Sequence, residues 1–183
     1  MNQDIVDLLV RRSLKRGDFV LASGKRSNFY VDARLSTMSG EGQVLIGRAG
    51  LAAIDAQHWN PRAIGGLTLG ADPIAYAVAS EATRAGRTLD AFTVRKEAKA
   101  HGTGQLIEGP FPAGEAVVVV EDVITTGESA LRAVKAVREA GSQVLGVLAV
   151  VDREEGGAER IRQEGLAVVA LARLGELLEV SGR

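Results

Sequence analysis

Residues 117–129 read VVVVEDVITTGES and carry more information about the fold than any other part of this 183-residue chain. Four consecutive valines favour a β-strand that is buried on both faces. The two acids and the threonine–glycine turn that follow predict the end of this strand and the start of a helix. A continuous apolar strand that leads directly into a helix is typical of a parallel sheet covered by helices.

The same alternation extends to both sides of this segment. Helices are predicted over 40–56, 72–84, 128–140 and 158–164, and strands over 63–67, 89–94, 115–122, 144–151 and 166–171. We therefore predict an α/β fold with a mainly parallel central sheet and helices on both faces. Residues 95–114 lack a helical or strand period, and a loop of this length inside a compact domain is usually functional or disordered.

The first third of the chain follows a different pattern. An amphipathic helix is predicted from about Ile5, with Gly17 as its stop, followed by a hairpin with strands over 19–21 and 29–31. We expect residues 1–183 to form a single domain, in which residues 1–35 contribute a small hood over the sheet and its binding site.

Composition excludes several classes of function. The chain has no cysteine, which rules out disulfides, thiol catalysis and zinc–thiolate sites. Its net charge of −1 gives no general attraction for nucleic acid or for an anionic membrane, so we expect neither as a partner. No segment approaches the length of apolar sequence that spans a bilayer, and the polar N-terminus is unlike a signal peptide. We expect a cytoplasmic protein.

The turn after the valine strand has the chemistry of a sugar-phosphate site. Backbone N–H groups in such a turn and at a helix N-terminus favour a phosphate, and Thr125, Thr126 and Ser129 add hydroxyl donors. Glu121 and Asp122 suit the hydroxyls of a sugar, because two acids would repel the phosphate itself. The chain has neither a phosphate-binding loop of nucleoside triphosphatases nor a dinucleotide-binding turn. The alternative is a helix N-cap without a ligand.

This segment resembles the ribose-phosphate motif of the type I phosphoribosyltransferase family, whose members use 5-phosphoribosyl 1-diphosphate. Within that family the resemblance to the orotate-specific group runs from end to end. It is carried by three further stretches: FVLASGKRS at 19–27, GGLTLGADP at 65–73 and RKEAKAHG at 95–102. It implies transfer of the phosphoribosyl group to orotate in pyrimidine biosynthesis, giving orotidine 5'-monophosphate and diphosphate. It also implies Mg²⁺ as cofactor and a homodimer in which loop 95–114 reaches the partner site.

The resemblance assigns roles to individual residues. It implies catalytic roles for Lys99, Arg95, His101 and Asp122, with Mg²⁺ held mainly through the substrate rather than by a direct protein ligand. It implies that 5-phosphoribosyl 1-diphosphate is bound by Arg95, Lys96, Lys99, His101, Glu121, Asp122, Val123, Ile124, Thr125, Thr126, Gly127, Glu128 and Ser129. The four potential cations suit a leaving group whose negative charge grows as its bond breaks. The alternative for them is a solvated basic loop.

The orotate-binding residues implied by the resemblance are Arg153 and Thr125, and Tyr30, which follows the first hairpin, is a further candidate. An arginine at the carboxyl edge of a sheet can hold a carboxylate through two hydrogen bonds, although Arg153 could equally pair with Glu154 or Glu155 on the surface. Tyr30 could stack on the pyrimidine ring or pack in the core.

The chain departs from some family members at two positions. Where they have a lysine in the first hairpin it has Ala22, and where they have a Tyr-Lys pair in the second loop it has Thr68 and Leu69. Backbone amides, Lys25 or Arg26 could replace these contacts. Two other functions stay open: a phosphoribosyltransferase for another base, such as a purine, and a regulator that senses 5-phosphoribosyl 1-diphosphate and binds nucleic acid.

Overall fold

The computed structural model describes residues 2–20, 26–97 and 106–182. In these ranges the chain forms the helices α1 (Gln3–Arg12), α2 (Arg34–Thr37), α3 (Gly40–Ala56), α4 (Asp72–Arg84), α5 (Glu128–Glu139), α6 (Gly157–Gln163) and α7 (Leu174–Ser181). The strands are β1 (Leu14–Val20), β2 (Arg26–Val31), β3 (Ala63–Leu67), β4 (Asp90–Val94), β5 (Ile107–Glu108), β6 (Ala116–Ile124), β7 (Gln143–Asp152) and β8 (Ala167–Arg173).

The central sheet has the strand order β5-β4-β3-β6-β7-β8 and is parallel except for the short edge strand β5. After β3 the chain adds β4 on one side, whereas β6 pairs with the other side of β3 and continues outward to β7 and β8. The strand order therefore reverses between β3 and β6. In open parallel sheets, the crevice beyond the carboxyl ends of two such strands is the usual place for a ligand.

Strand β6 is buried on both faces, as the valine run predicts. Val118 and Val120 pack into a core with side chains of α1, α3, α4 and α7, while Val117 and Val119 pack into a second core with α5 and α6. Successive side chains of a strand point to opposite faces, so four apolar residues in a row fit only a sheet covered on both sides. The α/β fold with helices on both faces is confirmed.

The sequence also predicts the strand β3 and the helices α3 and α4 with the observed bounds. The helix ends carry clear signals: the Ser39 side chain accepts a hydrogen bond from the Gly42 N–H of α3, and Pro73 stands in the first turn of α4. Strand β6 is longer than predicted. It keeps pairing with β7 as far as Ile124, so Glu121 and Asp122, which were predicted as its last two residues, are followed by two further strand residues.

The N-terminal region corrects one prediction. Gly17 does not stop the first helix; α1 ends at Arg12, and Gly17 lies inside β1 at a shift in the pairing register with β2. The φ of +153° at Gly17 is one that side-chain-bearing residues rarely adopt, which explains a glycine inside this strand. Strands β1 and β2 form a separate antiparallel sheet. Helix α7 was not predicted.

Within the described ranges, no helix has the length and apolar character that crossing a membrane requires.

Candidate active site

A cavity of about 340 Å³ lies at the carboxyl edge of the sheet, where the strand order reverses. It is lined by residues 30–34 at and beyond the end of β2, by residues 67–70 at and beyond the end of β3, and by Lys96 after β4. Arg153 after β7 also lines it, as do five residues around the end of β6: Glu121, Asp122, Val123, Thr125 and Ser129. Segments that are far apart in the sequence thus meet at one place. Seven of the residues predicted to bind substrates line this cavity together with Tyr30.

The start of α5 is shaped to receive an anion. Gly127 caps the helix with a φ of +76°, and no side chain accepts a hydrogen bond from the first N–H groups of the helix. These N–H groups are therefore free of a side-chain cap and carry the positive end of the helix dipole. The loop also packs tightly, because a Cβ on Gly157 would lie 2.3 Å from the Thr125 carbonyl oxygen.

The two acids of β6 have different surroundings. Glu121 is only 7% exposed and its Oε2 has no hydrogen-bond partner among the described residues, whereas Asp122 is half-buried and its Oδ1 accepts a hydrogen bond from the Val123 N–H at 2.9 Å. Burial, and then the charge of Asp122, raises the pKa of Glu121 to about 9. In the free protein at neutral pH, Glu121 is therefore uncharged, and both acids line the cavity.

This burial predicts how stability changes with pH. The folded protein keeps a proton on Glu121 that the unfolded chain releases above about pH 4.5, so rising pH favours unfolding until the pH reaches the folded pKa of about 9. Between these values the wild type should lose up to about 1.4 kcal/mol of unfolding free energy per pH unit relative to Glu121→Gln, which carries no titrating group there. Denaturant unfolding at several pH values measures the difference.

The control for this prediction is Glu128→Gln, which removes one negative charge at an exposed position. Its unfolding free energy should follow the wild type as the pH rises. Parallel pH profiles for the wild type and Glu121→Gln would contradict the assignment of an uncharged Glu121.

The loop after β3 approaches Asp122 closely. A Cβ on Gly70 would lie 2.6 Å from Asp122 Oδ1, so only glycine leaves this carboxylate where it is. Further along the loop, Asp72 accepts hydrogen bonds from the Thr68 hydroxyl at 2.7 Å and from the Thr93 hydroxyl at 2.8 Å. These two bonds tie the loop to the start of α4 and to β4. The peptide bond between Thr68 and Leu69 is cis.

Gly70→Ala should displace the Asp122 carboxylate without disturbing the core, because the added methyl group meets only the end of one side chain. We expect the KM for 5-phosphoribosyl 1-diphosphate to rise about tenfold, equivalent to about 1.4 kcal/mol of lost binding. Steady-state kinetics measure this effect, and thermal unfolding should stay near the wild type. Gly40→Ala is the matched control, since a Cβ there meets nothing within 4 Å. An equal KM in the two variants would contradict the role of Gly70.

Arg153 lies in a tight turn after β7 that is joined to the end of β6. Its backbone N–H donates to the Ile124 carbonyl oxygen at 3.0 Å, and its side chain is only 7% exposed. Its guanidinium Nη2 pairs with Glu155 Oε1 at 2.6 Å, which is one of the two pairings considered from the sequence. The arginine is nevertheless buried and lines the cavity, so it is not a surface residue.

The basic segment after β4 is described only in part. Lys96 is exposed and lines the cavity, whereas Arg95 lies beside it, with Nη1 at 3.6 Å from Glu108 Oε1. The Lys96 carbonyl oxygen accepts a hydrogen bond from Arg132 at 2.9 Å, which ties the segment to α5. Lys99 and His101 lie outside the described residues, as do Ala22 and Lys25.

Asp32 and Arg34 belong to the cavity lining but were not predicted from the sequence. Their side chains pair at 2.9 Å, and the hydrogen bond from Arg34 is the main reason that the pKa of Asp32 is lowered. The nearby acids, first Asp32 and with smaller contributions Tyr30 and Asp122, raise the pKa of Arg34. No motif marks these residues; only their position directly after the predicted hairpin could have suggested them.

Some predicted residues lie outside the cavity lining. The Ile124 side chain is buried in the core between the sheet and α5, and Thr126 and Glu128 are exposed away from the cavity. Gly127 acts through its backbone at the start of α5. Arg26 opens β2 and is exposed, and it is not among the lining residues. Tyr30 is half-buried, its ring centroid 5.7 Å from that of Phe19.

Comparisons with known proteins agree on one family. The phosphoribosyl transferase domain model matches residues 42–169. The orotate phosphoribosyltransferase of Aquifex aeolicus (strain VF5) is 51% identical over 179 residues, covering 96% of this chain and 97% of the relative. A crystal structure of the Mycobacterium tuberculosis H37Rv orotate phosphoribosyltransferase with Fe(III) dicitrate has a TM-score of 0.86 and 44% identity, covering 96% of this chain and 98% of that chain.

A second structure of the Mycobacterium tuberculosis H37Rv enzyme contains 5-phospho-α-D-ribosyl 1-diphosphate. It is similar to this chain with a TM-score of 0.79 and 39% identity, covering 96% of this chain and 90% of that one.

Proposed function

Since this chain belongs to the orotate phosphoribosyltransferase family and transfers the phosphoribosyl group of 5-phosphoribosyl 1-diphosphate to orotate in pyrimidine biosynthesis, we propose that the 340 Å³ cavity is where the transfer takes place. The observation that carries this proposal is the meeting of Asp122, Thr125 and Arg153 in one cavity. Each of them suits a different part of the two substrates.

The 5-phosphate binds at the start of α5 in this proposal. The uncapped N–H groups of the helix donate to it, joined by the hydroxyls of Thr125 and Ser129, which line the cavity. Ile124, Thr126, Gly127 and Glu128 contribute through the shape of the loop and its backbone, whereas Val123 lines the cavity itself.

The ribose hydroxyls bind to the acids of β6, with Asp122 in the leading role. Its carboxylate is half-buried, accepts a hydrogen bond from the Val123 N–H, and lies close to the Gly70 backbone in the lining of the cavity. Glu121 is uncharged before binding and can donate as well as accept a hydrogen bond, so it can pair with a sugar hydroxyl that acts as acceptor or as donor.

The base binds beside Arg153, whose guanidinium takes the carboxylate that distinguishes orotate from uracil. Thr125 lies near enough to serve both the phosphate loop and the base, and Tyr30 borders the cavity from the hairpin side. The ring nitrogen of orotate is readily deprotonated, so the reaction needs little help from a general base.

The difficult part of the reaction is the departure of diphosphate. The bond from the sugar carbon to the diphosphate oxygen breaks as the carbon–nitrogen bond to orotate forms, and negative charge grows on the leaving group. We propose that Arg95, Lys96, Lys99 and His101 stabilise this charge. Lys96 and Arg34 already place two cationic side chains in the cavity lining.

Mg²⁺ is expected to reach this site bound to the substrate. Among the described residues, no three His, Asp or Glu side chains are grouped so that they could hold a metal ion. Asp122 is the carboxylate best placed to hold the sugar hydroxyls that accompany the ion. When bound, Mg²⁺ would neutralise charge on the diphosphate.

The assembly is also part of the proposal. We expect a homodimer in which loop 95–114 serves the partner's site, and a single domain in which residues 1–35 form a hood. The separate β1–β2 sheet and the contribution of residues 30–34 to the cavity support the hood. A role in pyrimidine biosynthesis supports a cytoplasmic location.

A panel of bases tests the proposed specificity. With 5-phosphoribosyl 1-diphosphate and Mg²⁺, the wild type should consume orotate, detected by the fall in its absorbance, and leave adenine, hypoxanthine and guanine unchanged. Transfer to a purine in preference to orotate would favour the rival enzyme. Salt-dependent retention of RNA or DNA by the pure protein would favour the regulator.

A further inference from the structure

Arg153 and Glu155 form an ion pair where the base is proposed to bind. Arg153 Nη2 and Glu155 Oε1 are 2.6 Å apart, and the arginine is buried while the glutamate is at the border of exposure, at 37%. A charged guanidinium in a buried place needs a counter-charge. In the protein without ligands, Glu155 supplies it.

The pairing is incomplete. Arg153 Nε is buried and has no hydrogen-bond partner among the described residues. A carboxylate that lies side-on to a guanidinium satisfies Nε and Nη2 together, and this two-bond geometry is the stronger one. Nε and Nη2 lie on the edge of the guanidinium that a planar carboxylate fits best, and Glu155 occupies only Nη2.

The turn around this pair is held from outside it. The Glu154 N–H donates to Asp152 Oδ1 at 2.8 Å, and Glu154 Oε2 accepts from the Gly175 N–H at 3.0 Å, at the start of α7. Glu154 has a φ of +58° and stays in this unusual conformation with these two bonds. The turn does not depend on Glu155, so the Glu155 side chain can leave Arg153 while the backbone stays in place.

We propose that Glu155 competes with the substrate for Arg153: its side chain takes the place of the substrate carboxylate and thereby sets the affinity of the site for orotate. It holds Nη2 while the cavity is empty and gives this donor up when orotate binds, whose carboxylate then satisfies both Nε and Nη2. This inference rests on the proposed role of Arg153 in binding orotate.

The exchange affects only the binding of a base that carries a carboxylate. Orotate brings a carboxylate that replaces the one it displaces, and Glu155 moves to water at little cost because it is already partly exposed. A base without a carboxylate offers nothing to Arg153 and leaves the pair with Glu155 intact. Glu155 thus weakens orotate binding modestly and leaves the binding of uracil unaffected.

The test compares Glu155→Gln and Glu155→Ala with the wild type in the KM for orotate at saturating 5-phosphoribosyl 1-diphosphate and Mg²⁺. Removing the competing charge should lower this KM on the order of fivefold, with the alanine variant showing the larger fall and kcat unchanged. Turnover of uracil should not change. Glu159→Gln, an exposed acid that pairs with Arg162 on α6, is the control for loss of one charge and should behave as the wild type.

Two results would overturn the inference. A higher KM for orotate in both variants would mean that Glu155 positions Arg153, and an unchanged KM would mean that it does not compete. Thermal unfolding shows which of the two variants is folded, and one folded variant is enough to show whether the KM for orotate rises or falls. Arg153→Ala is measured in parallel. If Arg153→Ala leaves the KM for orotate unchanged, the proposed role of Arg153 is wrong. If Arg153→Ala raises the KM for orotate but neither Glu155 variant lowers it, only the inference about Glu155 is wrong.

Discussion

Replacing Lys99 by alanine should reduce turnover of orotate about 10²- to 10³-fold at saturating concentrations of both substrates, the usual cost of removing one group that stabilises charge developing in a transition state. The reason is that negative charge grows on the diphosphate as its bond to the sugar breaks. Binding of the ground state changes less, so the loss should appear in kcat more than in either KM. Steady-state kinetics with varied orotate and 5-phosphoribosyl 1-diphosphate separate these quantities.

Lys135→Ala provides the control for Lys99→Ala. Lys135 is exposed on α5, pairs with Glu139 at 3.8 Å and is not among the residues that line the cavity. Its removal should leave kcat unchanged. Full turnover by Lys99→Ala at saturating substrates would refute the role given to the basic segment.

The second large effect is expected for Arg153→Ala. Truncating one partner of a buried, hydrogen-bonded charge pair costs about 2–5 kcal/mol, so kcat/KM for orotate should fall by roughly 30-fold to several thousand-fold. The variant also leaves Glu155 without its partner. Because uracil lacks the carboxylate, its turnover should change far less, and the preference for orotate over uracil should collapse. The ratio of kcat/KM for the two bases is the measurement.

Arg162→Ala is the matched control, since this arginine lies on α6 and pairs with Glu159 near the surface. It should retain the preference of the wild type. If Arg153→Ala lowered the two kcat/KM values by the same factor, Arg153 would be a structural residue and the carboxylate of orotate would bind elsewhere.

The sheet was predictable because its signals are local. The four valines of β6 predict a strand buried on both faces, and a proline in the first turn indicates the start of α4. Helix α7 escaped prediction because it is short, and its buried residues Leu174 and Leu177 provide only one turn of helical period. The prediction that Gly17 ends the first helix was wrong because glycine occurs both at helix ends and at bends in strands. Only the pairing of β1 with β2 decides between these two roles.

The candidate site was predictable where a motif marks it. The turn 125–129 and Arg153 could be placed at the edge of the sheet from their positions directly after strands. The different surroundings of Glu121 and Asp122 could not be predicted from the sequence, because they depend on how deeply β6 is buried between β3 and β7. Arg34 reaches the cavity through the fold of the hairpin, and no residue pattern records this. The pairing of Arg153 with Glu155 was one of two possibilities that sequence left open.

A crystal structure of the protein with orotidine 5'-monophosphate tests the central claim most directly, because this product spans both substrate positions. The account predicts the phosphate on the N–H groups at the start of α5, the ribose hydroxyls on Asp122, and the base carboxylate on Arg153 Nε and Nη2 with Glu155 turned away. Product bound with its phosphate at Arg153, or outside the cavity between β3 and β6, would contradict it.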